Sequence, residues 1–62
     1  MTLRRLSVDE TCKDGYTCPG VWADEGEEVI IVGEVLDPSP VPLAPGERAV
    51  RLRRQVIRDA HL

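Results

Sequence analysis

The chain has 62 residues and a formal net charge of −3, and it contains one tryptophan, one tyrosine and no phenylalanine. A chain this short forms one domain, residues 1–62, buries only about 60% of its unfolded surface and lacks room for a walled substrate pocket, so we expect no enzyme activity. It has no apolar run as long as a membrane span or a signal peptide needs, which predicts a cytoplasmic location. A core built from aliphatic residues in so short a chain is only marginally stable, which favours a homodimer or a permanent protein partner.

Residues 1–8 form either a short strand that joins the sheet or a frayed terminus, and residues 1–15 together are a candidate flexible N-terminal segment. Ser7 followed by Glu10 fits a capping box, in which each residue caps a backbone N–H of the other. This pattern predicts one helical turn, which the turn-forming residues 13–15 would end.

Cys12 and Cys18 suggest either a redox pair or half of a zinc site. Zinc needs four ligands, however, and besides carboxylates the chain offers only His61, which we expect to be solvated. The spacing also differs from the Cys-x-x-Cys motif of thiol oxidoreductases. We therefore expect two small, buried or half-buried cysteines beside the first strand, with no metal and no cofactor. They stay thiols if the cytoplasm is reducing, and the sequence leaves open whether they are bonded. A metal or redox protein through Cys12 and Cys18 remains an alternative function.

Residues 27–36 contain the longest apolar run of the chain. The four β-branched residues Val29–Val32 favour a strand over a helix, because branching at Cβ restricts side-chain rotation in a helix. Both faces of this strand are apolar, so we expect a helix to cover one face and a second layer or a partner chain to cover the other. Gly33 indicates a bulge or a close approach by another backbone.

A β-hairpin is the firmest structural prediction. Residues 16–23 are also strand-like, and the acidic, glycine-containing residues 24–27 have the composition of a hairpin turn that brings Val21 and Trp22 near Val29 and Ile30. Pro19 cannot donate a hydrogen bond to a strand ladder, which predicts that the first strand of the hairpin lies at a sheet edge.

Residues 37–46 contain four prolines and predict an extended connector that ends in a type II turn at Pro45 and Gly46. Residues 49–52 alternate as a third strand, and residues 54–62 have the apolar spacing of a short helix. One helix over residues 47–62 is the competing interpretation. The predicted fold is α+β and β-rich, with a small antiparallel sheet, made of the hairpin plus a third strand, and a short C-terminal helix.

The charges are segregated along the chain. Residues 9–37 contain nine acidic residues and one lysine, whereas residues 47–62 contain five arginines and two acidic residues. The opposite charges either attract each other within one small fold or provide a basic end that binds an acidic protein or a nucleic acid. The candidate partner-binding residues are Trp22, Ile30, Val32, Arg48, Arg51, Arg53, Arg54 and Arg58.

Three segments together resemble a group of short hypothetical proteins of actinobacteria: residues 17–23, with their Cys-Pro opening, residues 29–33, and residues 45–52, with their Pro-Gly-Glu start. Proteins of this group are often encoded near helix-turn-helix regulators, and the resemblance implies an accessory role in transcriptional regulation. Residues 50–56 also resemble the strand-to-helix segment of swapped-hairpin antitoxins and transition-state regulators.

We therefore expect a small non-catalytic protein–protein interaction module, a partner in bacterial transcriptional regulation, that binds another protein or itself and exposes an apolar patch. A small DNA-binding or antitoxin-like protein that uses the C-terminal arginines is the alternative. The acidic net charge and the shortage of aromatic side chains argue against nucleic-acid binding.

Overall fold

The computed structural model describes residues 2–13 and 17–62. Over these residues the chain forms five strands and one helix: β1 (Arg4–Val8), β2 (Gly20–Ala23), β3 (Val29–Val32), β4 (Glu34–Leu36), β5 (Ala49–Arg51) and α1 (Arg54–Ala60). An antiparallel sheet has the strand order β1-β2-β3, and β4 pairs with β5 in a separate antiparallel sheet. The predicted α+β, β-rich class with a short C-terminal helix is confirmed.

The predicted hairpin is formed by β2 and β3. Trp22 lies opposite Ile30 in its ladder, and the turn is stabilised by the Gly26 N–H, which donates to Asp24 Oδ1 at 2.7 Å. The prediction that the first hairpin strand lies at an edge is wrong, because β1 pairs with the other side of β2 and leaves β3 at the edge. Pro19 precedes β2, so its missing N–H does not interrupt the ladder.

The N-terminal segment joins the sheet as β1, which confirms the strand alternative for its described part. The predicted capping box and helical turn are wrong. Ser7 lies within β1, and its hydroxyl donates to the Val56 carbonyl of α1 at 2.6 Å, so it caps no helix of its own. Residues 14 and 15 of the predicted turn, and residue 16 of the predicted strand, lie outside the described residues.

Gly33 divides the predicted strand of residues 27–36 into β3 and β4. A Cβ atom at Gly33 would lie 2.6 Å from the backbone oxygen of Arg51, which confirms the predicted close approach of another backbone. The predicted third strand, β5, therefore pairs with β4 beyond this glycine and places Val50 opposite Val35. The third strand of the hairpin sheet is instead β1.

The predicted turn at Pro45 and Gly46 and the predicted order of a strand followed by a helix are confirmed. Residues 37–48 contain no strand, and the type II turn is closed by the Glu47 N–H, which donates to the Ala44 carbonyl at 3.0 Å, while Gly46 has a φ of 87°. Strand β5 precedes helix α1, so the alternative of one helix over residues 47–62 is wrong. His61 is exposed and ends the helix in a left-handed conformation.

The core lies between α1 and the first two strands. Val21 of β2 and Val56 of α1 are fully buried together with Ala60, and Leu6 and Leu52 pack against them. The buried Gln55 side chain fixes the helix to the end of β1. Its amide nitrogen donates to the Val8 carbonyl at 3.1 Å, and its oxygen accepts from the Glu10 N–H at 3.0 Å.

Truncation of Val21 tests this core. We expect Val21→Ala to lower the free energy of unfolding by about 2–3 kcal/mol, because two buried methyl groups are lost and a cavity remains. Val35→Ala is the matched control, since Val35 also lies in a strand but is 56% exposed. Urea denaturation measures both variants, and equal losses would contradict this description of the core.

Candidate interaction surface

Strand β3 exposes four consecutive aliphatic side chains. Each residue of Val29–Val32 is 38–43% exposed. Because neighbouring residues of a strand point to opposite faces, apolar surface is exposed on both sides of the sheet. The prediction that this strand is covered on both faces is therefore wrong within the described chain, whereas the predicted exposed apolar patch is present.

Strand β3 is also an edge strand in the sheet order of the described residues. One side of its backbone pairs with β2, and the N–H and C=O groups of the other side meet no strand of that sheet. Edge strands usually carry a charged residue, a proline or a bulge that prevents another strand from pairing. Val29–Val32 contains none of these features.

The size of α1 explains why β3 is uncovered on the helix side. A helix is about 10 Å wide and strands lie about 4.8 Å apart, so one helix covers about two strands. Helix α1 packs on β1 and β2. Ile31 lies directly opposite the fully buried Val21 and shares its face, yet it is 41% exposed because it lies beyond the helix.

The other face of the sheet carries a row of three side chains. Arg5 lies opposite Trp22 and Trp22 lies opposite Ile30, so all three share one face. The Arg5 guanidinium carbon is 4.4 Å from the centre of the Trp22 ring, within the range of a cation–π interaction. Ile30 at the end of this row is exposed. Val32 is also exposed, because the residue opposite it is Gly20, which has no side chain to cover it.

Acidic residues flank β3 on both sides. Glu27 and Glu28 precede it and Glu34 follows it, and all three are exposed. Between Lys13 and Arg48 the sequence contains no lysine or arginine. Glu34 contacts Arg51 at 3.9 Å, but both side chains are about 70% exposed, and such a surface pair contributes at most about 1 kcal/mol. The exposed edge is therefore apolar at its centre and negative where Glu27 and Glu28 precede β3, whereas Glu34 at its other end lies beside Arg51.

The predicted site residues fall into two groups. Trp22, Ile30 and Val32 share one face of the three-stranded sheet, whereas the arginines belong to the segment from the connector to α1. Three of the five arginines lie near carboxylates. The pairs are Arg51 with Glu34 at 3.9 Å, Arg53 with Asp9 at 3.5 Å and Arg58 with Asp59 at 3.7 Å.

Arg48 and Arg54 are the other two arginines, and both are exposed. Arg48 donates to the Glu47 carbonyl at 2.9 Å. Sequence reasoning missed Arg5, which shares its face with Trp22, and the exposed pair Val29 and Ile31. The alternation of β1 could have identified Arg5, but only if the pairing of β1 with β2 had been known.

Asp9 is a buried carboxylate at the end of β1. Its Oδ1 atom accepts from the Thr11 N–H at 2.8 Å and from the Thr11 hydroxyl at 2.7 Å, and the Arg53 Nε lies 3.5 Å away. The Thr11 hydroxyl, the Thr11 N–H and the charge of Arg53 together lower the pKa of Asp9, and they outweigh the opposing effect of burial.

An open groove of about 390 Å³ adjoins Asp9. It is lined by Asp9, Pro19, Glu34, Arg51, Leu52 and Arg53. Its two carboxylates lie beside its two guanidinium groups, so the groove has no excess charge to select a charged ligand.

In residues 2–13 and 17–62, no three histidine, cysteine or acidic side chains converge as metal ligands.

Cys12 and Cys18 form a disulfide. The sequence left open whether the two cysteines are bonded, and the structure joins them. The bond closes a short loop next to β2. A cross-link of this kind stabilises a small domain, because it restricts the unfolded chain.

Comparisons with protein-family models, with curated proteins and with solved structures found no significant match. Helix α1 has seven residues, and among the described residues no helix has the length and apolar character to cross a membrane.

The lowered pKa of Asp9 predicts a pH-dependent stability. The unfolded carboxyl titrates at about pH 4 and the folded one below that value, so its contribution to stability is present above pH 4 and is lost as the pH falls through the folded pKa. We expect Asp9→Asn, which keeps the Oδ1 acceptor but removes the charge, to make the loss of stability in acid shallower. Urea denaturation at pH 7 and at about pH 2.5 measures it.

An acid dependence that Asp9→Asn leaves unchanged would contradict the role given to Asp9.

The disulfide predicts that the unfolded, unreduced chain has no thiol that reacts with Ellman's reagent, and that reduction adds two hydrogens to its mass. Reduction should also lower the free energy of unfolding by about 2 kcal/mol, the value expected for a loop of this size. Two reactive thiols in protein purified without reductant would contradict the assignment.

Proposed function

We propose that the protein is a non-catalytic protein–protein interaction module that binds its partner along β3. The observation that carries this proposal is the combination of an uncovered sheet edge and four exposed aliphatic residues on the same strand. An extended segment that pairs with such an edge gains backbone hydrogen bonds, and its side chains cover the apolar surface on both faces.

The small core supports this proposal. The buried apolar residues Val21, Val56 and Ala60 all lie in β2 or α1, and β3 contributes none of them. The exposed side chains of β3 are therefore available for a partner without any disturbance of the core.

The charged residues support a protein partner more than a nucleic acid. Three arginines of the predicted basic end lie beside carboxylates of the same chain, and the chain has a net charge of −3. Duplex DNA is bound mainly through lysine and arginine side chains that neutralise its phosphates. A role in transcriptional regulation rests on the family resemblance and stays a prediction. So does the cytoplasmic location, which the disulfide does not favour, because disulfides persist mainly in oxidising compartments.

Substitution of a single exposed isoleucine tests the proposed binding edge. We expect Ile30→Lys to weaken binding of the native partner by roughly tenfold or more, since one buried isoleucine contributes about 1.5–3 kcal/mol. The measurement is affinity capture from the native host with quantitative mass spectrometry, followed by the mass of the purified complex from light scattering.

Ile57→Lys is the matched control. Ile57 is 40% exposed, close to the 43% of Ile30, but it lies on α1. Thermal unfolding confirms that both variants fold. Captured proteins that are lost in Ile30→Lys and retained in Ile57→Lys support the proposal, and equal capture by both variants and the wild type would contradict it.

A further inference from the structure

We infer that the partner that binds β3 is an extended strand of another protein, with an apolar centre and with lysine or arginine at the end that meets Glu27 and Glu28. This inference rests on the proposed function and specifies the chemistry of the partner. Its basis is the position of the exposed charges relative to the apolar residues of β3.

The apolar centre follows from the exposure of Val29–Val32 on both faces. A strand that pairs with β3 presents its own side chains alternately to the two faces. One face offers Ile30 and Val32, and the other offers Val29 and Ile31. Aliphatic or β-branched side chains at successive positions of the partner would therefore contact apolar surface on either face.

The basic flank follows from the acidic residues that precede β3. Glu27 and Glu28 are adjacent and exposed, and neither belongs to an ion pair among the described residues. Glu34 at the other end already has Arg51 at 3.9 Å. The negative charge that favours a basic residue on the partner therefore lies at the start of β3.

The same charges disfavour a second copy of this chain. If β3 paired with itself in full antiparallel overlap, Glu27 of each copy would lie opposite Glu34 of the other. In a parallel pairing each glutamate would lie opposite itself. Like charges that lie directly opposite each other in a sheet are destabilising, so a basic partner strand is favoured over a homodimer.

Synthetic peptides test this inference with the full chain. The probe peptide has a central stretch of alternating valine and threonine between two lysines at each end, and in the first control peptide glutamates replace the lysines. A second control keeps the lysines but carries N-methyl groups on the alternate central amides that would donate to β3. The peptides are titrated into isotopically labelled protein, and the NMR signals of its backbone amides are followed at low and high salt.

We expect the lysine peptide to shift the amide signals of Val29–Val32, to bind at least about tenfold more tightly than the glutamate peptide, and to weaken with salt. N-methylation should weaken binding by a similar factor, because strand pairing needs the backbone donors. The Ile30→Lys variant should lose binding, whereas Ile57→Lys should retain it.

Four results would overturn the inference. Equal or tighter binding of the glutamate peptide at β3 would refute the basic flank and leave the interaction module intact. Unchanged affinity after N-methylation would show that the peptide binds through its charges and does not pair with β3 as a strand. A stable homodimer in light scattering that Ile30→Lys dissociates would identify a second copy as the occupant. If no peptide binds and capture also fails, both the inference and the proposed function are wrong.

Discussion

The packing of α1 against β1 and β2, centred on Val21 and Val56, is the constraint on which the rest of the structure depends. Both side chains are fully buried, and the helix that provides one of them has seven residues. A single short helix covers about two strands. The third strand of the sheet therefore lies outside the core, and its aliphatic side chains remain exposed. The candidate interaction surface is a direct consequence of how little the helix can cover.

Polar contacts and one covalent bond supplement this small core. Three polar residues are buried and each has a partner: Ser7, Asp9 and Gln55. Ser7 donates to the backbone of α1, and Gln55 joins α1 to the end of β1. Asp9 accepts from Thr11 and contacts Arg53. The disulfide joins Cys12, which follows β1, to Cys18, which precedes β2. These contacts join α1 to β1 and to the segments beside them. Strand β1 lies at the sheet edge opposite β3, so none of these contacts occupies the free side of β3, which stays available to a partner.

The sequence predicted the local elements well, because their signals are local. Each signal depends on only a few neighbouring residues. The signals are the β-branched side chains of β3, the Asp24 and Gly26 of the hairpin turn, and the Pro45-Gly46 turn. The pairing of strands depends on long-range contacts that no short pattern contains. Pro19 suggested an edge strand, but the proline precedes β2, and β1 took the place expected for β5. The sequence showed that both faces of β3 are apolar, but the predicted helix cover is absent, because α1 is too small to reach this strand. The disulfide could not be predicted from two cysteines, since their pairing depends on folding and on redox conditions.

Hydrogen exchange of the backbone amides in the isolated chain, followed by NMR at low protein concentration, tests the central claim most directly. If β3 is an uncovered edge, alternate amides of Val29–Val32 point away from β2 and should exchange rapidly, while the amides of Val21 and Trp22 in the central strand are protected. Strong protection of every amide in Val29–Val32 would show that the edge is already covered and would contradict the account.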